Sequence, residues 1–368
     1  MKIAIMGRSL RGQMSGVVRY THELLSAMAL RVPHEITVFV TRAPDGLDGL
    51  PLRRVRAPFR TRSEYTRALW EQFVVPSEVG RLRPDVYHSP NYIVPATLKC
   101  PIVVTVHDTS FLDPRLQRLR SHLYLRTLTA LAVRKADRVI CVSQHTLDDF
   151  RTRFPKAAHR ARLVTEGVSP RFRPGDPSAV ERFRVAYGVP ERYMLFVGTF
   201  EPRKNLDRLV AAYERAIRLT DAPDHLVLCG GSGWKNGSVF ERIEDSSLRK
   251  RIHVLGYVPD SELVAAYSGC SVFAYPSLAE GFGLPPVEAM ACGAPVVTSA
   301  AASLPETVGG AARLVDPLDI ASMADGLAEV LSDEVLRKTL VEAGFVRAAA
   351  LSWDCVAAQT LGVYEEVA

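Results

Sequence analysis

The 368-residue chain has no apolar run near the ~20 residues that a membrane-spanning helix requires, so no such helix is expected. Its six cysteines (Cys100, Cys141, Cys229, Cys270, Cys292, Cys355) are scattered, with neither a CxxC pair nor Cys/His ligand spacing. That speaks against a disulfide framework and a zinc site, and for small buried thiols in a reducing compartment. There is no DxD pair at a strand end, no G-x-S-x-G elbow, no HExxH and no kinase-type set, so no metal and no cofactor are expected. Low-complexity segments and repeats of 20–50 residues are missing as well, which excludes solenoids and propellers. Met1-Lys2 leads directly into a short strand-like run, without the longer apolar segment and cleavage site of a signal peptide. A cytoplasmic location is expected.

What is present is the composition of a globular protein, 47% apolar and 23% charged. The length suits two domains. The net charge of +6 hides an asymmetry. Residues 1–168 carry 27 Lys and Arg against 14 Asp and Glu, a net +13, whereas residues 169–368 carry 19 against 26, a net −7. Arg53, Arg54, Arg56, Arg60, Arg62 and Arg67 fall in one stretch with few aromatics. Two readings stay open: an anionic partner (a phosphorylated acceptor, a lipid headgroup or nucleic acid, the last not the one expected), or a solvated basic surface.

Short strands alternate with amphipathic helices throughout. In the first half, strands are expected at 2–6, 35–40, 85–88, 102–107, 138–142 and 162–164, and helices at 16–29, 64–82, 117–135 and 143–154. Many strands are continuous Val/Ile/Leu runs, the mark of a parallel sheet covered on both faces. Residues 169–190, with Pro170, Pro174, Gly175, Pro177 and Pro190, read as a linker. The rhythm restarts with strands at 194–197, 226–229, 253–255, 272–275, 295–298 and 312–315, and helices at 206–219, 261–267, 285–291, 320–331 and 334–349. The expectation is α/β: two Rossmann-like, doubly wound parallel-sheet domains, 1–168 and 191–351, facing across a cleft. Ligands of such sheets sit outside the carboxyl ends of the strands, so the chemistry belongs just after each strand.

Glu280-Gly-Phe-Gly-Leu-Pro-Pro-Val-Glu288 is the strongest signal. Gly281 and Gly283 let a ligand approach the backbone, and the helix start behind them favours an anion. Glu288, placed in the first turn, either reaches a ribose or complements the helix dipole. Gly198-Thr199-Phe-Glu-Pro-Arg203-Lys204-Asn205-Leu comes next. Two adjacent cations opening a helix oppose its dipole, so they read either as the grip on a diphosphate or as a surface basic pair. The loop from Gly7 through Gly12 to Gly16 is a phosphate loop or an ordinary turn, with Gly16 the best point of contact. His107-Asp108 ends a strand and is functional or structural. Cys229-Gly230-Gly-Ser-Gly233-Trp-Lys235 passes under a nucleotide or makes a tight turn. Tyr257-Val258 could offer backbone groups to a base.

These residues resemble glycosyltransferase family 4, retaining enzymes with the GT-B fold. The likeness rests on the E-x7-E segment 280–288 and on Gly198…Pro202-Arg203-Lys204-Asn205-Leu206. It extends to Gly256-Tyr257-Val258-Pro259, Glu288-Ala-Met-Ala-Cys-Gly-Ala-Pro-Val-Val297 and Leu304-Pro305-Glu306…Asp316-Pro317. It is dense from 193 to 317 and thinner before that. It implies that Arg203 and Lys204 hold a nucleotide-sugar diphosphate, that Glu288 binds its ribose, and that Glu280 and the backbone from Gly281 through Phe282 and Gly283 to Leu284 bind sugar and phosphate. Gly16, Thr199, Gly230, Tyr257 and Val258 complete the donor set. His107 joins Arg203, Lys204 and Glu280 as a catalytic residue, near the sugar's 6-hydroxyl, while Asn91, Tyr92 and Asp108 face the acceptor. A helix at about 352–368 is implied to cross back to the first domain. GDP-mannose is the leading donor, a glycan or lipid-linked sugar the acceptor, and the basic half an optional contact with the inner membrane face. Glu166-Gly167-Val168 departs from the Asn-Gly-Val frequent in the family, which leaves the role of that turn open. The competing readings are a nucleotide-sugar epimerase or hydrolase on the same fold, and a non-catalytic nucleotide-sugar binding protein.

Overall fold

The computed structural model describes all residues except 11–14, 31–33, 42–46, 59–63, 111–118, 221, 232 and 234–236, and leaves aside the side chains of 64–65 and 119–125. The chain forms two compact units, Met1–Gly167 with Trp353–Ala368, and Val168–Ser352.

The first unit holds a seven-stranded, all-parallel sheet of β1 (Lys2–Met6), β2 (Glu35–Val40), β3 (Leu52–Arg56), β4 (Val86–Ser89), β5 (Ile102–Val106), β6 (Arg138–Cys141) and β7 (Ala161–Leu163). Its order, β3-β2-β1-β4-β5-β6-β7, reverses between β1 and β4, the doubly wound arrangement whose ligand crevice lies at that reversal. Strands β4 and β5 are buried along their whole length, as strands of a parallel sheet covered on both faces are, and the polar His88, Ser89 and Thr105 among them are buried with the apolar residues. Strand β3 was not anticipated, because Leu-Arg-Arg-Val-Arg carries neither an apolar run nor clean alternation. It is an edge strand, where charged side chains deter pairing with another chain. The arginine stretch therefore divides. Arg53 and Arg56 are exposed on that edge, Arg67 is buried, and Arg60 and Arg62 lie outside the described residues.

The helix expected over 64–82 is instead an α-helical turn Glu64–Leu69, a π-helical segment Trp70–Val74 and a second α-helix Val75–Leu82. The π segment sinks Trp70 into the core and pairs Glu71 with Arg8 at 2.6 Å. The C-terminal helix Trp353–Glu365 belongs to this unit and packs on the helix Gly16–Ala29. Trp353 meets Tyr20 edge-on at 5.6 Å, Tyr364 Oη lies 2.6 Å from His88 Nδ1, and Glu366 pairs with Arg138 and Arg162.

The second unit repeats the plan with six parallel strands: β8 (Tyr193–Val197), β9 (His225–Cys229), β10 (Ile252–Gly256), β11 (Val272–Tyr275), β12 (Val296–Ser299) and β13 (Arg313–Val315), ordered β10-β9-β8-β11-β12-β13. Here the reversal falls between β8 and β11. Residues 169–190, read above as a linker, lie within this unit and contain the helix Pro177–Tyr187. The Pro and Gly taken as linker punctuation are its caps. Asp176 accepts from the Ser178 N–H, Pro177 takes the first turn where its missing N–H costs nothing, and Gly188 closes the helix in the left-handed region. Among the described residues no helix is long and apolar enough to cross a membrane.

Candidate active site

At the reversal of the second sheet, the segments following β8 and β11 meet. The chain leaves β8 through Gly198, makes a short 3-10 turn Pro202–Lys204, and passes Asn205 in the left-handed region before the helix Leu206–Thr220 begins. Asn205 fixes this turn by donating its side-chain amide to the carbonyls of Pro276 and Pro317, at 3.2 and 2.7 Å. Arg203 and Lys204 thus occupy a separate turn and not the first turn of the following helix, which carries Asp207. The conflict with the helix dipole inferred from the sequence is absent; the two cations are adjacent for another reason.

That reason is Glu280. Lys204 Nζ donates to Glu280 Oε1 at 2.6 Å, and Arg203 reaches Oε2 at 2.7 Å. Ser277 Oγ and Tyr275 Oη add donations to Oε1 at 2.6 and 3.0 Å. Arg203 also pairs with Glu201 at 2.8 Å and donates to the Ala279 carbonyl at 2.7 Å. Lys204 lies over the Tyr275 ring, 4.8 Å from its centre, and donates to its hydroxyl. Burial raises the Glu280 carboxyl, but Arg203 and Lys204 outweigh it and hold its pKa at about 2. For Lys204, burial and then the neighbouring guanidinium push the pKa down, with Glu280 opposing. Two cations coexist in a nearly dry place because two carboxylates neutralise them.

The loop after Glu280 is tied down from beneath. Ser303 Oγ donates to the carbonyls of Glu280 and Phe282, and Thr307 Oγ1 to Phe282. Gly283, at φ 98°, caps the helix Leu284–Ala291, and a Cβ there would sit 2.6 Å from Leu304 Cδ2. Only glycine fits. Phe282 and Leu284 are buried. Glu288 is the fifth residue of this helix, one turn beyond the place assigned to it, and is 1% exposed. Tyr267 Oη donates to its Oε2 at 3.3 Å. A dipole-complementing first-turn carboxylate is therefore not its role.

The glycines of the two units part company. A Cβ on Gly230 would lie 1.9 Å from the Gly198 carbonyl oxygen, and one on Gly233 2.4 Å from that of Phe200. The two glycines let this loop press against the turn after β8, the tight-turn reading. Trp234 and Lys235 lie outside the described residues, as does Gly12 of the N-terminal loop. At Gly16, the first residue of its helix, a Cβ would meet nothing within 4 Å, so packing within its own unit does not demand glycine. Thr199 and Tyr257 are exposed, Val258 is buried, and Gly256 accepts the Gly230 N–H at 2.7 Å.

In the first unit, His107 follows β5 with both ring nitrogens engaged. Nδ1–H donates to Glu166 Oε1 at 3.0 Å and Nε2–H to the Pro90 carbonyl at 2.9 Å. Tyr20 meets the ring edge-on at 4.6 Å. Burial disfavours the charged ring, but the Glu166 carboxylate, the Pro90 carbonyl and Asp108 together raise its pKa above the ordinary histidine value. Glu166, the departure from the family pattern, is thus buried as the counter-ion of His107, a partner that no local pattern named. Asp108 Oδ1 accepts from the Ser110 N–H and hydroxyl, and Asn91 Oδ1 from the Ile93 N–H, so both shape their own turns. Burial, with the Asp108 carboxylate second, raises the Tyr92 phenol. Among the described residues no three His, Cys, Asp or Glu side chains converge as a metal site requires.

Two family profiles match, "Glycosyltransferase Family 4" over residues 14–172 and "Glycosyl transferases group 1" over 179–347. O-antigen chain mannosyltransferase B of Escherichia coli is 32% identical over 285 residues, 76% of this chain and 74% of its own. The serotype-specific mannosyltransferase WbdA of the same species is 29% identical over 60% of this chain, which spans only 27% of WbdA. Among solved structures, sucrose-phosphate synthase from Thermosynechococcus elongatus superposes with a TM-score of 0.80 at 24% identity, over 99% of this chain and 98% of the other. HepE from Anabaena, solved with UDP-glucose, gives 0.77 at 19% identity over both whole chains.

Proposed function

The chain belongs to glycosyltransferase family 4 and has the GT-B fold of two Rossmann-like domains, and from that premise we propose that this glycosyltransferase moves mannose from GDP-mannose to a glycan or lipid-linked acceptor, with retention and without metal. Breaking the donor's glycosidic bond leaves negative charge on the diphosphate and oxocarbenium character on the sugar. Fixed cations stabilise the first; carboxylates and backbone carbonyls stabilise the second. Arg203 offers the diphosphate a planar fork and Lys204 a point charge. Glu280 keeps both cations in place and, with the backbone from Gly281 to Leu284, receives the sugar. Glu288 takes the ribose, and Thr199, Tyr257 and Val258 flank the nucleotide. In the first unit, Gly16 leaves room for the diphosphate, His107 belongs near the sugar's 6-hydroxyl, and Asn91, Tyr92 and Asp108 belong to the acceptor. Retention needs no pair of glycosidase carboxylates if a donor phosphate oxygen takes the acceptor's proton on the face that the leaving group departs.

The observation that carries this reading is the pair of neighbouring, mostly buried cations held by Glu280 at the reversal of a doubly wound sheet. Relatives named as mannosyltransferases support mannose, and the UDP-glucose held by HepE makes a uridine donor the comparison to run. A thermal-shift panel of GDP, UDP and ADP with their sugars, without added metal, tests the donor. A GDP preference followed by GDP release and an α-linked mannosyl product is expected; a preference for UDP would replace the donor, and no response to any nucleotide would overturn the reading.

A further inference from the structure

His107 has both ring nitrogens facing strong acceptors, a carboxylate and a backbone carbonyl. A neutral imidazole has one N–H and can satisfy only one of them; the doubly protonated ring satisfies both. His88, a strand away, shows the opposite environment. It is fully buried between two hydroxyls, Thr105 at 2.9 Å and Tyr364 at 2.6 Å, and burial followed by the nearby His107 lowers its pKa to about 3. The two buried histidines sit in environments that favour opposite forms of the ring, and what separates them is Glu166.

We propose that Glu166 is a positioning residue of this enzyme: its carboxylate holds His107 as a fixed, doubly protonated ring with Nε2–H locked on the Pro90 carbonyl, so that the end of β5 presents a positive charge at neutral pH. The inference rests on the functional reading above for its consequence, since such a charge assists a donor whose diphosphate gains negative charge, but the geometry of the pair stands within the first unit alone. Because both N–H groups are committed to protein acceptors, the imidazole acts through its charge and its shape, and a neutral amide at position 166 would leave a ring that titrates. The other groups facing the ring are Asp108, which supports the charge, Tyr20, whose hydroxyl lies 3.1 Å from Thr105 Oγ1, and the neutral His88. None of them can replace Glu166, because no other carboxylate is hydrogen-bonded to the ring among the described residues.

The test is a nitrogen–proton NMR titration of the histidine rings in the full chain, with His107 identified by the signal lost in His107→Gln. In the wild type the His107 midpoint is expected above the ordinary value of about 6.5. In Glu166→Gln it is expected at or below that value, because burial then acts against the charge with less opposition, and in Glu166→Asp it stays high. The kcat/KM profile should follow. Glu166→Gln loses about tenfold as pH rises through its lowered His107 midpoint, a range in which the wild type holds its activity, whereas a purely structural role gives a loss that does not change with pH. A wild-type midpoint at or below about 6.5 overturns the proposal even if the Gln variant fails to fold, as does an unchanged midpoint in that variant. The titration reads the ring whether or not transfer occurs, so a raised midpoint without any transferase activity would sink the functional reading and leave the Glu166 assignment standing.

Discussion

Both units bury a cation against a carboxylate after a central strand, but with cations of different kinds, and the pairs answer pH in opposite directions. In the second unit Arg203 and Lys204 hold the Glu280 carboxylate, and Glu280 is the group that acid titrates. With its pKa lowered to about 2, Glu280 contributes stability that is fully present above the ordinary carboxylate value of ~4.3 and is lost as pH falls toward 2. In the first unit the titrating partner is His107, with its pKa raised. Its pair with Glu166 contributes stability that is complete below about 6.5 and lost as pH rises through the folded-state value. The second unit therefore keeps its charge arrangement through the neutral range, and the first holds its own only while Glu166 defends it.

The comparison extends to the glycines and gives the largest expected effect. Gly230→Ala forces a Cβ to within 1.9 Å of a backbone oxygen. It should destabilise the second unit by about 3 kcal/mol or more, read as a lowered chemical-denaturation midpoint. Gly16→Ala meets no atom and should fold as well as the wild type or slightly better, while weakening nucleotide binding if that position makes room for a diphosphate. Equal stability of the two variants would erase the distinction between a packing glycine and a ligand-facing one.

Next in size are the cations. Arg203→Ala and Lys204→Ala each remove charge-assisted hydrogen bonds worth about 1.5–3 kcal/mol. Each should cost roughly ten- to a few-hundredfold in turnover, visible at saturating donor. The smallest effect belongs to the C-terminal helix: Tyr364→Phe deletes the hydroxyl facing His88 Nδ1 and should cost about 1–2 kcal/mol of first-unit stability with turnover nearly unchanged. A large loss of turnover with no change in stability would mean that this helix serves the chemistry directly.

Much of the fold was legible because parallel strands buried on both faces must be continuous apolar runs, and those runs stand out. All twelve expected strands lie within one residue of the observed strand at either end. The edge strand Leu52–Arg56 was missed because an edge needs charge, not apolar residues. The helix Pro177–Tyr187 was read as linker because proline and glycine punctuate helix ends and linkers alike. In the site, local motifs led to Arg203, Lys204, Glu280 and Gly283, which the fold brings together or explains. The turn at Glu166 stood out as a departure from the family motif, but its role could not be read that way. Its partner lies 59 residues earlier, and nothing in a local window records which buried carboxylate neutralises which ring.

Calorimetric titration of GDP, without metal, into the wild type and into the Arg203→Ala/Lys204→Ala double variant tests the central claim most directly. The wild type should bind and the double variant should bind at least about tenfold more weakly. Equal affinities would mean that the two cations serve only to neutralise Glu280, and that the pyrophosphate, if the chain takes one, is held elsewhere.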